Sequence, residues 1–178
     1  MELKLRRAIA NDIAFIMRTE RLEGYETLVG RWEKSRHMDN LNDMNYSYII
    51  AETDGAPVGF AILCNWASCR HSLCIVRVAI AERGRGFGKA LMRSVTNAAF
   101  RETKIHRLWL TCFPENLPAR SCYETVGFVA EGVTRGSAFF NNEYRDELKM
   151  SLLRPEWVPD ALQTATAPRV FSDAQTSL

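Results

Sequence analysis

A glycine-rich turn with several basic residues is the segment of this sequence best suited to chemistry. It runs from Arg83 to Lys89 (Arg-Gly-Arg-Gly-Phe-Gly-Lys) and follows an apolar run from Leu73 to Ile80. Glycines let the main chain approach a phosphate closely, and a helix that begins after such a turn adds partial positive charge. The pattern therefore predicts a binding site for a phosphorylated, anionic ligand.

Two common phosphate-binding motifs do not fit this turn. The dinucleotide motif G-x-G-x-x-G needs an acidic residue about 20 positions later, and Glu102 comes too early. The P-loop needs a hydroxyl residue after its lysine, and Lys89 is followed by an alanine. What remains is Arg-x-x-Gly-x-Gly, formed by Arg83, Gly86 and Gly88. Taken alone, this hexapeptide is equally compatible with a simple tight turn before a helix.

A second segment, residues 116–128, strengthens the interpretation. It reads Asn-Leu-Pro-Ala-Arg-Ser-Cys-Tyr-Glu-Thr-Val-Gly-Phe and follows a short apolar run. Asn116 is suited to cap a helix and Gly127 to end it. Between them, Ala119 and Tyr123 recur at helical spacing. A packed helix alone would explain some of these residues, but not the whole string in this order.

Together the two segments resemble the coenzyme A signature of the GNAT N-acetyltransferases. The first is similar to that family's R-x-x-G-x-G motif, and the second to its N-x-x-A-x-x-x-Y-E-x-x-G-F segment. The resemblance covers roughly Met1 to Leu153. It implies an α/β GNAT fold, a mixed twisted sheet of about six to seven strands flanked by about four helices. Residues 1–153 would form this acetyltransferase domain, and residues 154–178 a C-terminal tail.

The resemblance also implies how acetyl-CoA binds. In GNAT enzymes the pantetheine arm lies between two diverging parallel strands, here His71 to Ile80 and Leu108 to Cys112. The main chain of the first strand would pair with the arm, and the pyrophosphate would rest on N–H groups of the glycine-rich turn. The residues expected to bind the coenzyme are Val76, Val78, Arg83, Arg85, Gly86, Gly88, Lys89 and Asn116.

Acetyl transfer needs a neutral amine to attack the acetyl carbonyl and a proton for the departing thiolate. Tyr123 is the expected acid, because a phenol with a pKa near 10 is protonated at neutral pH. The base is left open: His71 lies where some GNAT enzymes place a glutamate, Glu23 and Glu26 lie near the expected acceptor wall, and a water chain is equally possible. Cys122 is expected to point away from the tyrosine's site, because adjacent helical residues diverge by about 100°.

The acceptor is also left open by the sequence. Segments 131–135 and 144–146 are similar to the branch that contains ribosomal-protein N-terminal and polyamine acetyltransferases. The expected acceptor is a primary amine of a small molecule or of a peptide N-terminus, acetylated by direct attack in a ternary complex. Glu20, Glu23 and Glu26 could line a polyamine site, although Glu20 could equally pair with a basic residue on its own helix. The alternative function is a non-catalytic acyl-CoA-binding or regulatory module.

The rest of the sequence alternates strands and helices without internal repeats. Strands are predicted at Glu2–Arg7, Tyr46–Glu52, Val58–Asn65, His71–Ile80, Leu108–Cys112, Phe128–Phe140 and Glu143–Leu152. Helices are predicted from residue 11 or 12 to Arg21, from Thr27 to Leu41, from Arg85 to Glu102, and after Asn116. Tight turns are predicted at Asp54-Gly55-Ala56-Pro57 and at Asn141-Asn142.

Composition limits the remaining function classes. The 178 residues carry a net charge of +2, which implies neither a nucleic-acid-binding face nor an anionic-membrane patch. No apolar run approaches the roughly 20 residues of a spanning helix, and Met1 to Lys4 does not open a signal peptide, so we expect a cytoplasmic protein. Cys64, Cys69 and Cys74 surround His71, but their spacing matches no common zinc site, which favours buried free thiols and no metal.

The aromatic residues of the C-terminal tail bear on whether the chain assembles with a second copy. Trp157 and Phe171 lie in a polar stretch beyond the last expected strand, where the domain should already be closed. Such aromatic residues either pack back on their own chain or lie across a partner. GNAT enzymes often pair through their C-terminal halves, so we expect a homodimer with the Phe128 to Leu153 hairpin and the segment that follows it near the two-fold axis.

Overall fold

A mixed β-sheet of seven strands organises the chain in the computed structural model, which describes residues 3–64, 71–159 and 169–171. The strands are β1 (Lys4–Arg7), β2 (Tyr46–Thr53), β3 (Ala56–Cys64), β4 (Ser72–Ile80), β5 (Arg107–Cys112), β6 (Val129–Phe140) and β7 (Glu143–Leu153). The helices are α1 (Ile13–Glu20), α2 (Lys34–Asn42), α3 (Phe87–Glu102) and α4 (Leu117–Val126). The strand order is β1-β2-β3-β4-β5-β7-β6, and β4 with β5 is the parallel pair. The predicted fold class is confirmed. None of the described helices is long and apolar enough to cross a membrane.

The sheet is covered by helices on both faces, and the alternation along β2 shows how. Ile49 belongs to the apolar cluster that contains Leu91 of α3, whereas its neighbour Ile50 packs with Ile13 and Ile16 of α1. Successive side chains of a strand point to opposite faces. Because both kinds of position are apolar, the central strands are buried between two helical layers.

Both predicted tight turns are confirmed by their main-chain angles. Asp54 and Gly55 join β2 to β3 with φ of 52° and 79°. Asn141 and Asn142 join β6 to β7 with φ of 51° and 66°. Asparagine, aspartate and glycine tolerate this left-handed region best, which is why a two-residue hairpin forms at these positions.

The helix predicted from Thr27 to Leu41 is wrong in its first part, because α2 begins only at Lys34. Val29 is buried in the structure. Gly30 packs against Arg77, whose Nη2 atom lies 2.6 Å from the place where a Cβ on this glycine would be. These tertiary contacts outweigh the helical spacing of the local sequence.

Cys64 and Cys74 are register partners on β3 and β4, and both are buried free thiols, as predicted. Burial raises the pKa of Cys74 to about 12, so this thiol is protonated at neutral pH. Cys69 lies outside the described residues, and the described part of the chain groups no three His, Cys, Asp or Glu side chains around a possible metal ion.

The described part of the predicted tail packs on its own chain. The Trp157 ring stacks on Phe100 with centroids 5.4 Å apart, and its Nε1 donates to Oδ1 of Asn97 at 2.8 Å. Val170 and Phe171 are buried in the same cluster as α3. Residues 160–168 and 172–178 lie outside the described residues, and the domain boundary at residue 153 stays a prediction.

Candidate active site

A cavity opens where β4 and β5 separate. The two strands pair only from Ser72 to Ile75 on β4 and from Arg107 to Leu110 on β5. Beyond these pairs lies a cavity of about 480 Å³, called here the main cavity. It is lined by both strands, the start of α3, one face of α4, the segment between α1 and α2, and the β6–β7 hairpin.

The edge of β4 presents main-chain groups to the main cavity. The Tyr25 hydroxyl donates to the Ile80 oxygen at 3.1 Å and accepts from the Ile80 nitrogen at 3.4 Å. Main-chain groups two residues apart on a strand point the same way, so Val78 also turns its N–H and C=O away from β3. Val76 is the extra residue of a bulge against β3. Both valines line the main cavity, where a strand that pairs with an extended ligand would have to lie.

The glycine-rich turn leads from β4 into α3. Gly84 and Gly86 have φ of 80° and 79°, a region that other residues rarely adopt. The first intrahelical bond runs from the Ala90 N–H to the Gly86 oxygen, so the N–H groups before it have no partner within the helix. A Cβ on Gly88 would meet, among the described residues, nothing nearer than Ile80 at 3.7 Å. The turn can therefore offer several N–H donors to an anion.

The basic side chains of the turn are already engaged to different degrees. The Arg83 guanidinium carbon lies 4.1 Å from the centroid of the Tyr25 ring, which fastens the segment after α1 to the turn. Arg85 pairs with Glu82 at 2.5 Å, and both side chains are more than half exposed. Lys89 is exposed. Main-chain N–H groups and the exposed Lys89 ammonium are thus the donors that the turn can offer without breaking an ion pair or a ring contact.

Helix α4 begins and ends as its sequence predicts. The Asn116 Oδ1 atom accepts from the Ala119 N–H at 3.3 Å, which caps the helix. Gly127 ends it with φ of 106°. Asn116 also lines the main cavity, and its Nδ2 group donates to no other described residue.

Tyr123 projects from α4 into the wall of the main cavity and is 8% exposed. Burial, with smaller contributions from Cys112 and Cys122, raises the pKa of its phenol above the ordinary value. The hydroxyl therefore stays protonated at neutral pH, as an acid for a leaving thiolate requires. The expectation for Cys122 is wrong, because it lines the same cavity. The side chains of a helix can share a broad cavity even when their directions diverge.

The structure brings together most of the residues predicted to form the site. Those that line the main cavity are Val76, Val78, Arg83, Gly88, Asn116 and Tyr123. Arg85, Gly86 and Lys89 lie in the adjoining turn but do not line it. The three candidate bases lie elsewhere. Glu23 is exposed and does not line the cavity. Glu26 is exposed, and His71 lies before the start of β4, where its oxygen accepts from the N–H groups of His106 and Arg107.

One carboxylate that sequence reasoning missed does line the main cavity. Glu147 on β7 accepts hydrogen bonds from Thr111 Oγ1 and Ser137 Oγ, each at 2.7 Å. Among the described residues, Glu147 is the only acidic residue that lines the main cavity. Its neighbour Leu148 faces the apolar core, so the alternation of β7 made Glu147 look like a solvent-facing position.

Behind the cavity wall lies a buried polar network centred on Glu20. Its carboxylate pairs with Arg77 and lies 3.3 Å from His37 Nε2, while His37 Nδ1 is 3.2 Å from the Tyr48 hydroxyl. Burial lowers the pKa of Arg77 against the opposing effect of Glu20, and burial raises the pKa of Tyr48 to about 12. The main ion-pair partner of Glu20 is therefore Arg77 and not a basic residue next to it in sequence, although Arg21 approaches the Glu20 carboxylate to 3.6 Å. Glu20 is fully buried and does not line the cavity.

Comparison with known proteins gives a consistent picture. A family profile described as "Acetyltransferase (GNAT) family" matches residues 13–128. The chain is similar to the spermidine N(1)-acetyltransferase of Vibrio cholerae, with 30% identity over 81 residues, or 46% of this chain and 47% of that protein. It is also similar to the L-amino acid N-acetyltransferase AaaT of Escherichia coli, with 33% identity over 72 residues, 40% of this chain and 44% of that protein. The chain thus spans about half the length of these curated relatives.

The fold is also that of a solved structure. The spermidine N-acetyltransferase of Vibrio cholerae in complex with CoA and spermine superposes with a TM-score of 0.76. The superposition covers 86% of this chain and 96% of that one at 22% sequence identity. At this identity the likeness concerns the fold, and the acceptor must be argued from this chain's own side chains.

Proposed function

The chain belongs to the GNAT family of acetyltransferases, and from that premise we propose that it transfers an acetyl group from acetyl-CoA to a primary amine. The observation that carries the proposal is the main cavity between the diverging strands β4 and β5. A glycine-rich turn with free helical N–H groups adjoins it, and a buried, protonated tyrosine lies in its wall. These are the features that binding a phosphorylated thioester and releasing its thiolate require.

The chain would hold acetyl-CoA chiefly through its main chain. The N–H groups at the start of α3 suit the pyrophosphate, since Gly88 leaves room for close approach. The main-chain groups of Val78 suit the amides of the pantetheine arm, and the Asn116 amide can donate to the same arm. When bound, the coenzyme supplies the activated acetyl thioester.

Two side chains of the main cavity can move the protons that the reaction requires. An alkyl amine with a pKa near 10 is almost wholly protonated at pH 7, so it must lose a proton before attack. The Glu147 carboxylate is suited to accept that proton. The amine nitrogen then bonds to the acetyl carbon and gives its second proton to solvent. The carbon–sulfur bond breaks as the Tyr123 hydroxyl gives its proton to sulfur. Solvent returns a proton to Tyr123 and removes one from Glu147.

Release of free thiol tests this proposal directly. Acetyl-CoA is incubated with polyamines, amino acids, aminoglycosides and N-terminal peptides, and thiol is measured against a control without acceptor. Acceptor-dependent release that Tyr123→Phe suppresses would support transfer. Calorimetric binding of acetyl-CoA without any acceptor-dependent release would identify a non-catalytic acyl-CoA-binding module instead.

We also propose a cytoplasmic homodimer. Four of the cysteines, Cys64, Cys74, Cys112 and Cys122, are free thiols, which suits a reducing compartment. Strand β6 is an edge of the sheet and exposes Val129, Val133 and Phe139, so it presents an unpaired apolar edge of the kind that a second copy can cover. Light scattering of the wild type and of Val133→Lys tests the dimer. A wild type that stays monomeric at high concentration would rule it out.

A further inference from the structure

A second pocket lies beside the main cavity. This side pocket has a volume of about 330 Å³. Gly30 and Phe140 line both cavities, so the two spaces adjoin. Arg31, Trp32 and Arg36 form its other wall. The pocket is built from the segment before α2, the first turn of α2, and the end of β6 with the turn that follows it.

The side pocket carries positive charge, and no carboxylate residue of the described chain lines it. Arg31 and Arg36 are exposed, and neither forms an ion pair with a described residue. The Arg36 guanidinium carbon lies 4.2 Å from the centroid of the Trp32 ring, which limits its motion. Arg77 stacks on the same ring at 4.1 Å, but its charge is matched by Glu20. Two guanidinium groups are therefore available to an anion at the edge of the main cavity.

This charge distribution opposes a polycationic acceptor. A polyamine site needs several carboxylates. The sequence suggested three glutamates for such a site, at positions 20, 23 and 26, but in the structure they do not form one. Glu20 is buried and paired, while Glu23 and Glu26 are exposed and line neither cavity. Guanidinium groups instead bind carboxylates well, because their planar donors match both oxygens.

Building on the proposed function, we infer that the acceptor is a small primary amine that also carries a carboxylate. Arg31 and Arg36 bind the carboxylate in the side pocket, and the amine of the same molecule reaches into the main cavity beside Glu147. The two cavities then hold opposite charges at opposite ends of one acceptor. That arrangement sets which end of the molecule approaches the thioester.

The test compares acceptors that differ only in the carboxylate. Thiol release from acetyl-CoA is measured with amino acids and with their amides, at equal concentrations of neutral amine, and with spermidine as the polycation. We expect kcat/KM for the acid to exceed that for its amide by about tenfold or more, the scale of a hydrogen bond to a charged group. Arg31→Ala and Arg36→Ala should each lower kcat/KM for the acid by roughly 10- to 100-fold and leave the amide unchanged.

Matched controls separate this inference from the proposed function. Arg135→Ala removes an exposed arginine of β6 that lines neither cavity, and should change nothing. Arg36→Glu should lower the preference for acid over amide still further and improve spermidine relative to the acid. Equal rates for acid and amide in the wild type, or a preference for spermidine, would overturn the inference while leaving acetyl transfer intact. If acetyl-CoA binds and no acceptor releases thiol, both proposals fail. The comparison of acid and amide uses only the wild-type protein, so it stays decisive even if a variant fails to fold.

Discussion

Replacing Tyr123 with phenylalanine isolates the proton that this residue is proposed to donate. The described residues make no hydrogen bond to its hydroxyl, and the ring packs near Phe128 with centroids 6.3 Å apart. Tyr123→Phe therefore leaves no buried group unpaired and keeps the ring contact. We expect a loss of stability below about 1 kcal/mol, which is roughly 2–4 °C in Tm for a chain of this size.

The effect on turnover should be far larger than the effect on stability. Removal of a general acid lowers kcat by roughly 10²–10⁴-fold. At 1.36 kcal/mol for each factor of ten, that loss is about 2.7–5.4 kcal/mol of transition-state stabilisation. The affinity for acetyl-CoA should change by less than about twofold, because the proton is needed only when the sulfur departs. Stopped-flow detection of thiol measures the chemical step separately from product release.

The pH profile adds an independent check. Because burial raises the pKa of Tyr123 above the usual value near 10, its hydroxyl stays protonated throughout the range from about pH 7 to about pH 10. Wild-type kcat should therefore not fall in that range through loss of this proton. A single-turnover rate for Tyr123→Phe within about twofold of wild type would refute the assignment. A wild-type decline near pH 9 that disappears in the variant would instead contradict the raised pKa, since it would show that Tyr123 loses the required proton in this range.

Three further predictions concern other parts of the site. Gly86→Ala should destabilise the free protein by about 1–2 kcal/mol in urea, because φ there is 79°. Gly88→Ala should leave stability unchanged and weaken calorimetric acetyl-CoA binding by about tenfold, because its Cβ has space in the protein but would meet the ligand; the reverse pattern would contradict the main-chain cradle. Glu147→Gln should lower kcat by roughly 10²–10⁴-fold at pH 7 and recover as pH rises, whereas a pH-independent loss would exclude it as the base. Glu20→Gln leaves a buried guanidinium unpaired and should cost about 3–5 kcal/mol, against less than about 1 kcal/mol for Arg85→Ala, which breaks an exposed pair; equal losses would mean that the buried pair is not needed for folding.

Features that depend on a few adjacent residues were predictable from the sequence. The left-handed angles at Gly86 and Gly127 and the Asn116 cap follow from residue type and position alone. The two-residue hairpin at Asn141 follows in the same way. These local rules locate the ends of β4, α3 and α4, and those ends form most of the proposed coenzyme site.

Features that depend on pairing between distant segments were not predictable. Glu20 and Arg77 are 57 positions apart, and nothing in the spacing of either residue indicates the other. The same buried pair explains why residues 27–33 do not form a helix, since Gly30 must lie against the Arg77 side chain. The position of Glu147 in the cavity wall depends on the sheet order, which places β7 beside β5, and the sequence does not indicate that order. The missing information was therefore the set of contacts between segments.

The acceptor side of the site is formed by such long-range contacts, and this explains why a shared fold does not fix the substrate. The proposed coenzyme site relies on main-chain groups, which any sequence with the correct glycines can provide. The inferred acceptor site depends on side-chain charge, with Glu147 in the main cavity and Arg31 with Arg36 in the side pocket. An acceptor that carries both an ammonium and a carboxylate matches both signs at once. With either charge removed from the acceptor, the half-buried Glu147 or the exposed pair of Arg31 and Arg36 lacks its partner, so the discrimination should come from both ends of the molecule.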